Sequence, residues 1–178
     1  MESALAEQLA RVRANMAAAC ARCHRPESEV RLLAATKTVA PERIRAAYDL
    51  GLRLFGENRV QERAAKQAAL APLQNCEWHL LGPLQSNKAA GALKLFDAIE
   101  TVDSVALAER LSRLAHGTVR VMLEINIGGE AQKHGFTPEA APAAMVVLAA
   151  LPRVEVTGVM AVPPLEPRAE DVRRHFAR

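Results

Sequence analysis

The run Leu32-Leu33-Ala34-Ala35-Thr36-Lys37-Thr38 is followed directly by Val39-Ala40-Pro41. A short apolar run of this kind is typical of a buried strand. Proline is favoured in the first turn of a helix because the N–H that it lacks would have had no partner there. Lys37 is therefore predicted at the carboxyl end of a strand, directly before a helix. In sheets built of strand–helix units, this end of the strands carries the ligands.

The same order of strand and helix recurs about six times along the chain. Further strands are predicted over residues 52–55, 77–81, 98–102, 119–127 and 154–160, each followed by a helical pattern. This alternation favours a parallel sheet with right-handed crossovers. Two α/β architectures fit it: an open doubly wound sheet, or about six of the eight units of a (β/α)8 barrel of the TIM type. Either one would make residues 1–178 a single domain, which as a barrel would be incomplete at its C-terminus.

An amphipathic helix is predicted ahead of the first strand, ending at Arg25-Pro26. Its Cys20-Ala21-Arg22-Cys23-His24 segment matches the c-type haem attachment pattern. We favour structural cysteines over haem or zinc, because both cysteines continue the buried face and no second pair of metal ligands follows. The apolar residues of that face recur at spacings of three and four; they are Leu5, Leu9, Val12, Met16, Cys20 and Cys23.

Three helix starts are predicted from capping residues. Asn58 with Gln61 resembles a capping box, Asp103 or Ser104 caps the helix after the fourth strand, and Thr137-Pro138 opens a later helix.

Composition excludes several classes of protein. The chain has a formal charge of +3 and 3% aromatic residues, with arginine spread along it, whereas a nucleic-acid surface needs a basic stripe with stacking aromatics. Residues 1–13 contain Glu2 and Glu7 and no long apolar segment, so they predict neither a signal peptide nor a membrane span. We therefore expect a cytoplasmic protein with reduced cysteines, and neither nucleic acid nor membrane as a partner.

Polar residues stand at the predicted strand ends, which in a parallel sheet meet at one rim. We expect a binding site there, formed by Lys37, Asn58, His79, Asp103, Asn126 and Lys133. Gly128-Gly129 could turn backbone N–H groups toward a phosphate, although neither a Walker loop nor a dinucleotide fingerprint is present.

Each of these residues also has a structural interpretation. Lys37 is either a surface lysine or an amine held among apolar neighbours, where it is free to form a Schiff base with an aldehyde. Asn58 is equally explained as a helix cap, and His79, beside Trp78, as a hydrogen-bonded core residue. Lys133 is either solvated or placed to meet an anion.

Taken together, several runs resemble the pyridoxal phosphate homeostasis protein family. These runs are LLAATKTV (32–39), GLRLFGENRVQE (51–62), EWHLLGPLQSNK (77–88), ETVDS (100–104) and INIGGEAQKHGF (125–136). The resemblance implies a barrel like the N-terminal domain of alanine racemase, the fold type III of pyridoxal phosphate proteins. It implies that Lys37 holds pyridoxal 5'-phosphate as a Schiff base. It also implies that Asn58, His79 and Met160 line the cofactor pocket and that Lys133 gives a secondary contact.

The chain departs from the family in one respect, because it lacks the later Ser-Met-Gly-Met-Ser and Arg-Ile-Gly runs that hold the phosphate. We therefore expect weaker cofactor retention and a tendency to associate through open strand edges. A non-catalytic carrier that supplies pyridoxal phosphate is favoured, with apoenzymes that depend on the cofactor as its expected partners. An amino-acid racemase is the alternative, but it would need an acid and a base on opposite faces of the cofactor. A cofactor-free Schiff-base aldolase is disfavoured, because no acidic pair is predicted beside Lys37.

Overall fold

The computed structural model of the chain describes residues 2–130 and 134–177. Within these residues the strands form one sheet and the helices alternate with them. The strands are β1 (Ala34–Ala35), β2 (Leu54–Glu57), β3 (Glu77–Leu80), β4 (Ala98–Val102), β5 (Val119–Glu124) and β6 (Val154–Met160). The α-helices are α1 (Glu2–Arg22), α2 (Pro41–Asp49), α3 (Val60–Leu70), α4 (Ala89–Leu95), α5 (Val105–Leu114), α6 (Ala141–Ala149) and α7 (Ala169–Phe176).

The order of strands in the sheet decides between the two predicted architectures. It runs β1-β2-β3-β4-β5-β6, and every neighbouring pair is parallel. A doubly wound sheet reverses its strand order at a switch point, whereas a (β/α)8 barrel adds each strand beside the previous one. The sheet is therefore of the barrel type, and the doubly wound alternative is wrong.

Alternate residues of the strands face opposite sides of the sheet. Phe55 and Trp78 are paired neighbours on β2 and β3, and their rings stack with centroids 5.1 Å apart. Both are buried in the core, which also takes Ile99 and Val121 from the next two strands and apolar residues of the helices. Because successive side chains point to opposite faces, the residues between them face the interior of the curved sheet. That interior face carries the candidate site.

Two of the predicted strands match the structure in both bounds; β1 is shorter than the apolar run from Leu32, and β3 ends one residue early, at Leu80. Strand β4 has the predicted bounds, and β6 likewise runs from Val154 to Met160. Strand β2 begins at Leu54 and continues through Glu57, two residues later than predicted at each end. Strand β5 ends at Glu124, because the chain then turns and forms an isolated bridge between Ile125 and Phe136.

The capping predictions have mixed outcomes. Ser104 caps α5 as predicted, since its hydroxyl accepts a hydrogen bond from the Leu107 N–H at 3.3 Å. The Asn58 capping box is wrong: the N-cap of α3 is Arg59, without a side-chain hydrogen bond. Thr137 caps a separate turn, with its hydroxyl accepting from the Ala140 N–H at 3.2 Å, so that α6 begins later than predicted.

Helix α1 buries part of its predicted face. Leu9 and Cys20 are buried, but Val12 is 40% exposed and Cys23 is exposed. Cys23 leaves the face because α1 ends at Arg22 and His24 turns the chain with a φ of 53°. Within residues 2–130 and 134–177, no group of three metal-ligating side chains comes together. The helices of the same residues include none with the length and apolar character needed to span a bilayer.

Candidate functional site

The interior face of the sheet lines an open cavity of about 530 Å³. Four residues predicted for the site, from four different parts of the chain, meet in its wall. They are Lys37 beyond β1, Asn58 beyond β2, His79 on β3 and Met160 at the end of β6. The parallel sheet thus brings together residues separated by more than a hundred positions in sequence, as strand ends of this fold do.

Lys37 lies in the turn that follows β1. The Val39 N–H donates to the Thr36 carbonyl at 3.0 Å, which closes a four-residue turn with Lys37 at its second position. Its side chain is exposed. The expectation of an amine enclosed by apolar neighbours is therefore wrong, because the cavity is open on this side. The amine is instead freely accessible to a ligand that enters the cavity.

Asn58 follows β2 directly and belongs to the cavity wall rather than to a helix cap. Its backbone is packed closely against the loop after β3. A Cβ atom at Gly82 would lie 2.2 Å from the Asn58 carbonyl oxygen, so only glycine fits there. The Gly82 carbonyl in turn accepts a hydrogen bond from the buried Thr101 hydroxyl at 2.8 Å. The position of Asn58 is therefore fixed by the two neighbouring strands.

His79 is 5% exposed and lies on the cavity wall. Its Nδ1 is 2.5 Å from Glu100 Oε1 on the adjacent strand β4. Its Nε2 is buried and has no hydrogen-bond partner among the described atoms. A hydrogen bond at one ring nitrogen fixes the state of the other. Glu100 therefore fixes the orientation of the ring, and Nε2 lies 3.8 Å from Glu77 Oε1 on the same strand.

A charged group closes the amino-terminal end of the interior. Glu77 accepts from the guanidinium of Arg31 and from Arg120, whose Nη1 is 2.5 Å from Glu77 Oε1. The hydrogen bond from Arg31, with a further one from Arg120, lowers the pKa of Glu77 from 4.5 to about 2 despite its partial burial. The carboxylate is thus ionised throughout the neutral range and pairs with both arginines, whose two positive charges it balances only in part.

The rest of the cavity wall is apolar. Leu33 and Leu81 approach each other over Gly56, where an added Cβ would come within 2.8 Å of both. Met122 and Met160 contribute thioether side chains from β5 and β6. Methionine adapts its shape to flat or irregular ligands and makes favourable contacts with aromatic rings.

Two other residues predicted at the rim lie outside this cavity. Asp103 faces His134, whose Nδ1 is 3.5 Å from Asp103 Oδ2, and the Asn126 amide donates to the Glu130 carbonyl at 2.8 Å. Burial, and next the charge of Asp103, raise the pKa of the nearby Glu124 carboxyl. This second polar group follows β4 and β5. Lys133 lies outside the described residues.

Sequence reasoning missed the interior charges Arg31, Glu77, Glu100 and Arg120. Glu100 carried a usable signal, because it is a lone charged residue within the apolar strand Ala98–Val102. A charge in such a position is rarely buried unless it is paired. It could have been matched with His79 from the predicted parallel order of the strands.

Comparison with known proteins identifies the family. The family model of the alanine racemase N-terminal domain matches residues 8–178. A pyridoxal phosphate homeostasis protein of Aquifex aeolicus is 40% identical over 175 residues, covering 97% of this chain and 76% of the relative. The chain belongs to the pyridoxal phosphate homeostasis protein family.

Solved structures support the same family membership and fold. PipY of Synechococcus elongatus, in a structure with pyridoxal phosphate bound, is 40% identical to this chain and has a TM-score of 0.80. The match covers 97% of this chain and 76% of PipY. The crystal structure of an unknown protein from Bifidobacterium adolescentis is 37% identical and has a TM-score of 0.92. The match covers 99% of this chain and 76% of that one. The predicted barrel of the alanine racemase type is therefore confirmed as the fold of this chain.

Proposed function

We propose that this chain binds pyridoxal 5'-phosphate in the interior cavity, as a Schiff base with Lys37, and acts as a non-catalytic carrier of the cofactor. The Lys37 nitrogen adds to the aldehyde carbon, water leaves with the aldehyde oxygen, and a C=N bond joins the two. The observation that carries the proposal is the meeting of Lys37, Asn58, His79 and Met160 in one cavity wall. The pyridoxal phosphate bound to the related PipY supports the choice of ligand.

The described residues fit the aldehyde and the aromatic ring of the cofactor. Lys37 offers an exposed primary amine, and the apolar wall offers Met122, Met160 and Leu81 to a flat ring. His79 belongs to the cavity wall, and its buried Nε2 has no hydrogen-bond partner among the described atoms, with Glu77 Oε1 3.8 Å away. Buried nitrogens without a hydrogen bond are rare in folded proteins unless a ligand or water meets them. The Asn58 amide can donate or accept at the carboxyl ends of the strands.

The same residues offer few cationic side chains to the phosphate of the cofactor. Apart from Lys37, the cationic side chain in the described cavity wall is Arg31, which already binds Glu77. Phosphate sites in barrels of this type are built by the loops after the last two strands. We therefore expect the 178-residue chain to hold the cofactor mainly through Lys37 and to lose it on prolonged dialysis.

The pairing of the titratable groups supports the proposed non-catalytic role. Racemisation needs an acid and a base on opposite faces of the cofactor. Besides Lys37, the described wall carries His79 and Glu100, and these two bind each other on one side of the cavity. The relatives are named for homeostasis rather than for a reaction. We further propose that the cofactor is passed to apoenzymes in the cytoplasm, in keeping with the free thiols of Cys20, Cys23 and Cys76.

Titration of the 178-residue chain with pyridoxal phosphate, followed by visible absorption, tests the binding proposal. Saturable binding by the wild type, absent in Lys37→Ala and retained in Lys94→Ala, is the expected result. Lys94 is a suitable control because it is an exposed lysine on α4, outside the cavity. Equal spectra for the wild type and Lys37→Ala would contradict the proposal.

A racemase assay tests the non-catalytic role separately. With the chain saturated with cofactor, we expect no conversion of L-alanine or other L-amino acids above that of free pyridoxal phosphate. Sustained turnover that disappears in Lys37→Ala would instead support the racemase alternative.

A further inference from the structure

The turn that carries Lys37 contains an unfavourable backbone conformation. Thr38 has a φ of +60°, a region that β-branched residues rarely adopt. The Thr38 hydroxyl donates to the Lys37 carbonyl at 2.6 Å, which partly accounts for this conformation. Strained residues of this kind persist where the surrounding structure holds the backbone firmly, and they concentrate at functional sites. The structure around Thr36 supplies such a support.

The hydroxyl and the carbonyl of Thr36 are both held by side chains on the helix side of the sheet. Its hydroxyl donates to Glu57 Oε1 at 2.7 Å, and its carbonyl accepts from Lys66 Nζ at 2.9 Å. Lys66 Nζ also lies 2.6 Å from Glu57 Oε1, which completes a closed set of three contacts. The residue directly before Lys37 is therefore fixed by one side chain of β2 and one of α3.

Burying the Glu57–Lys66 pair costs free energy. Glu57 is completely buried and the Lys66 side chain is 13% exposed. Buried charges cost free energy unless they are paired and hydrogen-bonded, and apolar residues of similar size often serve stability equally well. A second cation, Arg63, stacks on Trp78 at 4.1 Å and feels the charge of Glu57. Neither Glu57 nor Lys66 lines the cavity, so a direct contact with its ligand is not their purpose.

We propose that Glu57 and Lys66 are positioning residues, which act through Thr36 to hold the Lys37 turn so that its amine enters the cavity. This proposal rests on the proposed function, because it assigns the reacting group to Lys37. Glu57 and Lys66 make no contact with the ligand. They fix the peptide from which the reacting side chain extends, and small displacements of a reacting group lower reaction rates strongly.

The decisive comparison is between Thr36→Val and Thr36→Ser. Valine keeps the size of threonine but removes the hydroxyl that Glu57 accepts, whereas serine keeps it. We expect Thr36→Val to slow the absorbance change on mixing with pyridoxal phosphate about tenfold, with Thr36→Ser within about twofold of the wild type. The neutral double variant Glu57→Leu/Lys66→Met avoids leaving a single buried charge and leaves no acceptor for the Thr36 hydroxyl at position 57, so we expect it to behave like Thr36→Val. Lys94→Met on α4 is the control for removal of a lysine.

Hydrogen exchange in the ligand-free protein gives a readout that does not depend on the cofactor. We expect faster amide exchange at residues 36–39 in Thr36→Val and in the double variant, with unchanged exchange in β4. If both variants react and exchange as the wild type does, the positioning role is wrong. If the wild type itself forms no bond between Lys37 and pyridoxal phosphate, the proposed function fails, whereas the exchange result still reports on the turn.

Discussion

His79 Nδ1 lies 2.5 Å from Glu100 Oε1, across the parallel pair β3 and β4. This contact joins a residue at a predicted strand end to a charged residue within the next strand. It fixes the imidazole in the cavity wall, with a buried Nε2 that has no hydrogen-bond partner among the described atoms and lies 3.8 Å from Glu77 Oε1. A hydrogen bond from a ring nitrogen to a carboxylate is the usual means of setting the orientation and protonation of the opposite nitrogen.

Glu100→Gln is expected to weaken pyridoxal phosphate binding by about five- to thirtyfold, because a charge-assisted hydrogen bond of about 1.5–3 kcal/mol is reduced to a neutral one. Visible titration measures the affinity, and ¹⁵N NMR of the His79 ring measures which nitrogen carries the proton. Glu109→Gln, an exposed change on α5, is the control. Unchanged affinity together with an unchanged His79 spectrum would contradict this role of Glu100.

Glu77 gives the chain a dependence of stability on acid pH. Its pKa is lowered to about 2 in the folded protein, so its ionised form stabilises the fold above its ordinary pKa of 4.5. That contribution is lost as the pH falls from the ordinary pKa toward the folded one. Because Arg31 is 58% and Arg120 37% exposed, we expect a loss on the order of 1–2 kcal/mol rather than the full shift.

Urea denaturation at pH 7 and pH 3 measures this contribution. Glu77→Gln is expected to be less stable than the wild type at pH 7 and to lose less stability between the two pH values. Glu29→Gln, in the exposed pair with Arg25, should retain the pH dependence of the wild type. A Glu77→Gln profile parallel to that of the wild type would show that Arg31 and Arg120 do not act through this carboxylate.

Gly82→Ala tests the close packing that fixes Asn58. A Cβ there would lie 2.2 Å from the Asn58 carbonyl oxygen, so the loop after β2 must move. We expect a loss of about 1–3 kcal/mol in the free energy of unfolding, as for other overpacked sites, with weaker cofactor binding. Gly117→Ala is the control, since its added Cβ would have no neighbour within 4 Å. Equal stability and affinity in the two variants would be the contrary result.

The sheet edges predict self-association of the 178-residue chain. Within the described residues β1 and β6 each have a neighbouring strand on one side only, and Val159 on β6 is 58% exposed. Exposed edges of this kind are templates for pairing with another chain. Sedimentation velocity should show dimers or larger species that Val159→Lys reduces and Val146→Lys, on α6, does not. A wild-type chain that stays monomeric at high concentration would contradict the prediction.

The cavity residues were predictable because they stand at strand ends of a parallel sheet. Lys37, Asn58 and His79 each follow or end an apolar run, and the strand–helix alternation places such residues at one rim. Asp103 and Asn126 satisfied the same criterion, yet they belong to a second polar group after β4 and β5. Strand ends therefore predict the rim but not how its residues divide between cavities.

The roles of Glu57 and Lys66 could not be predicted, because they depend on where β2 ends and on which residues then lie beside it. Glu57 lies beyond the predicted strand 52–55, but β2 runs two residues further and buries it beside Thr36 and Lys66. A shift of two residues keeps the face of each side chain and changes its neighbours along the strand. The exposure of Lys37 has a similar origin, since it depends on how open the curved sheet is on that side.

The central claim is that the amine of Lys37 bonds covalently to pyridoxal phosphate, and borohydride reduction tests it most directly. The loaded 178-residue chain is reduced, digested and analysed by mass spectrometry. We expect the mass of the reduced cofactor on Lys37, with Lys66, Lys88, Lys94 and Lys133 unmodified. Modification spread over those lysines, or a chain that remains unmodified at residue 37 when saturated with cofactor, would contradict the claim.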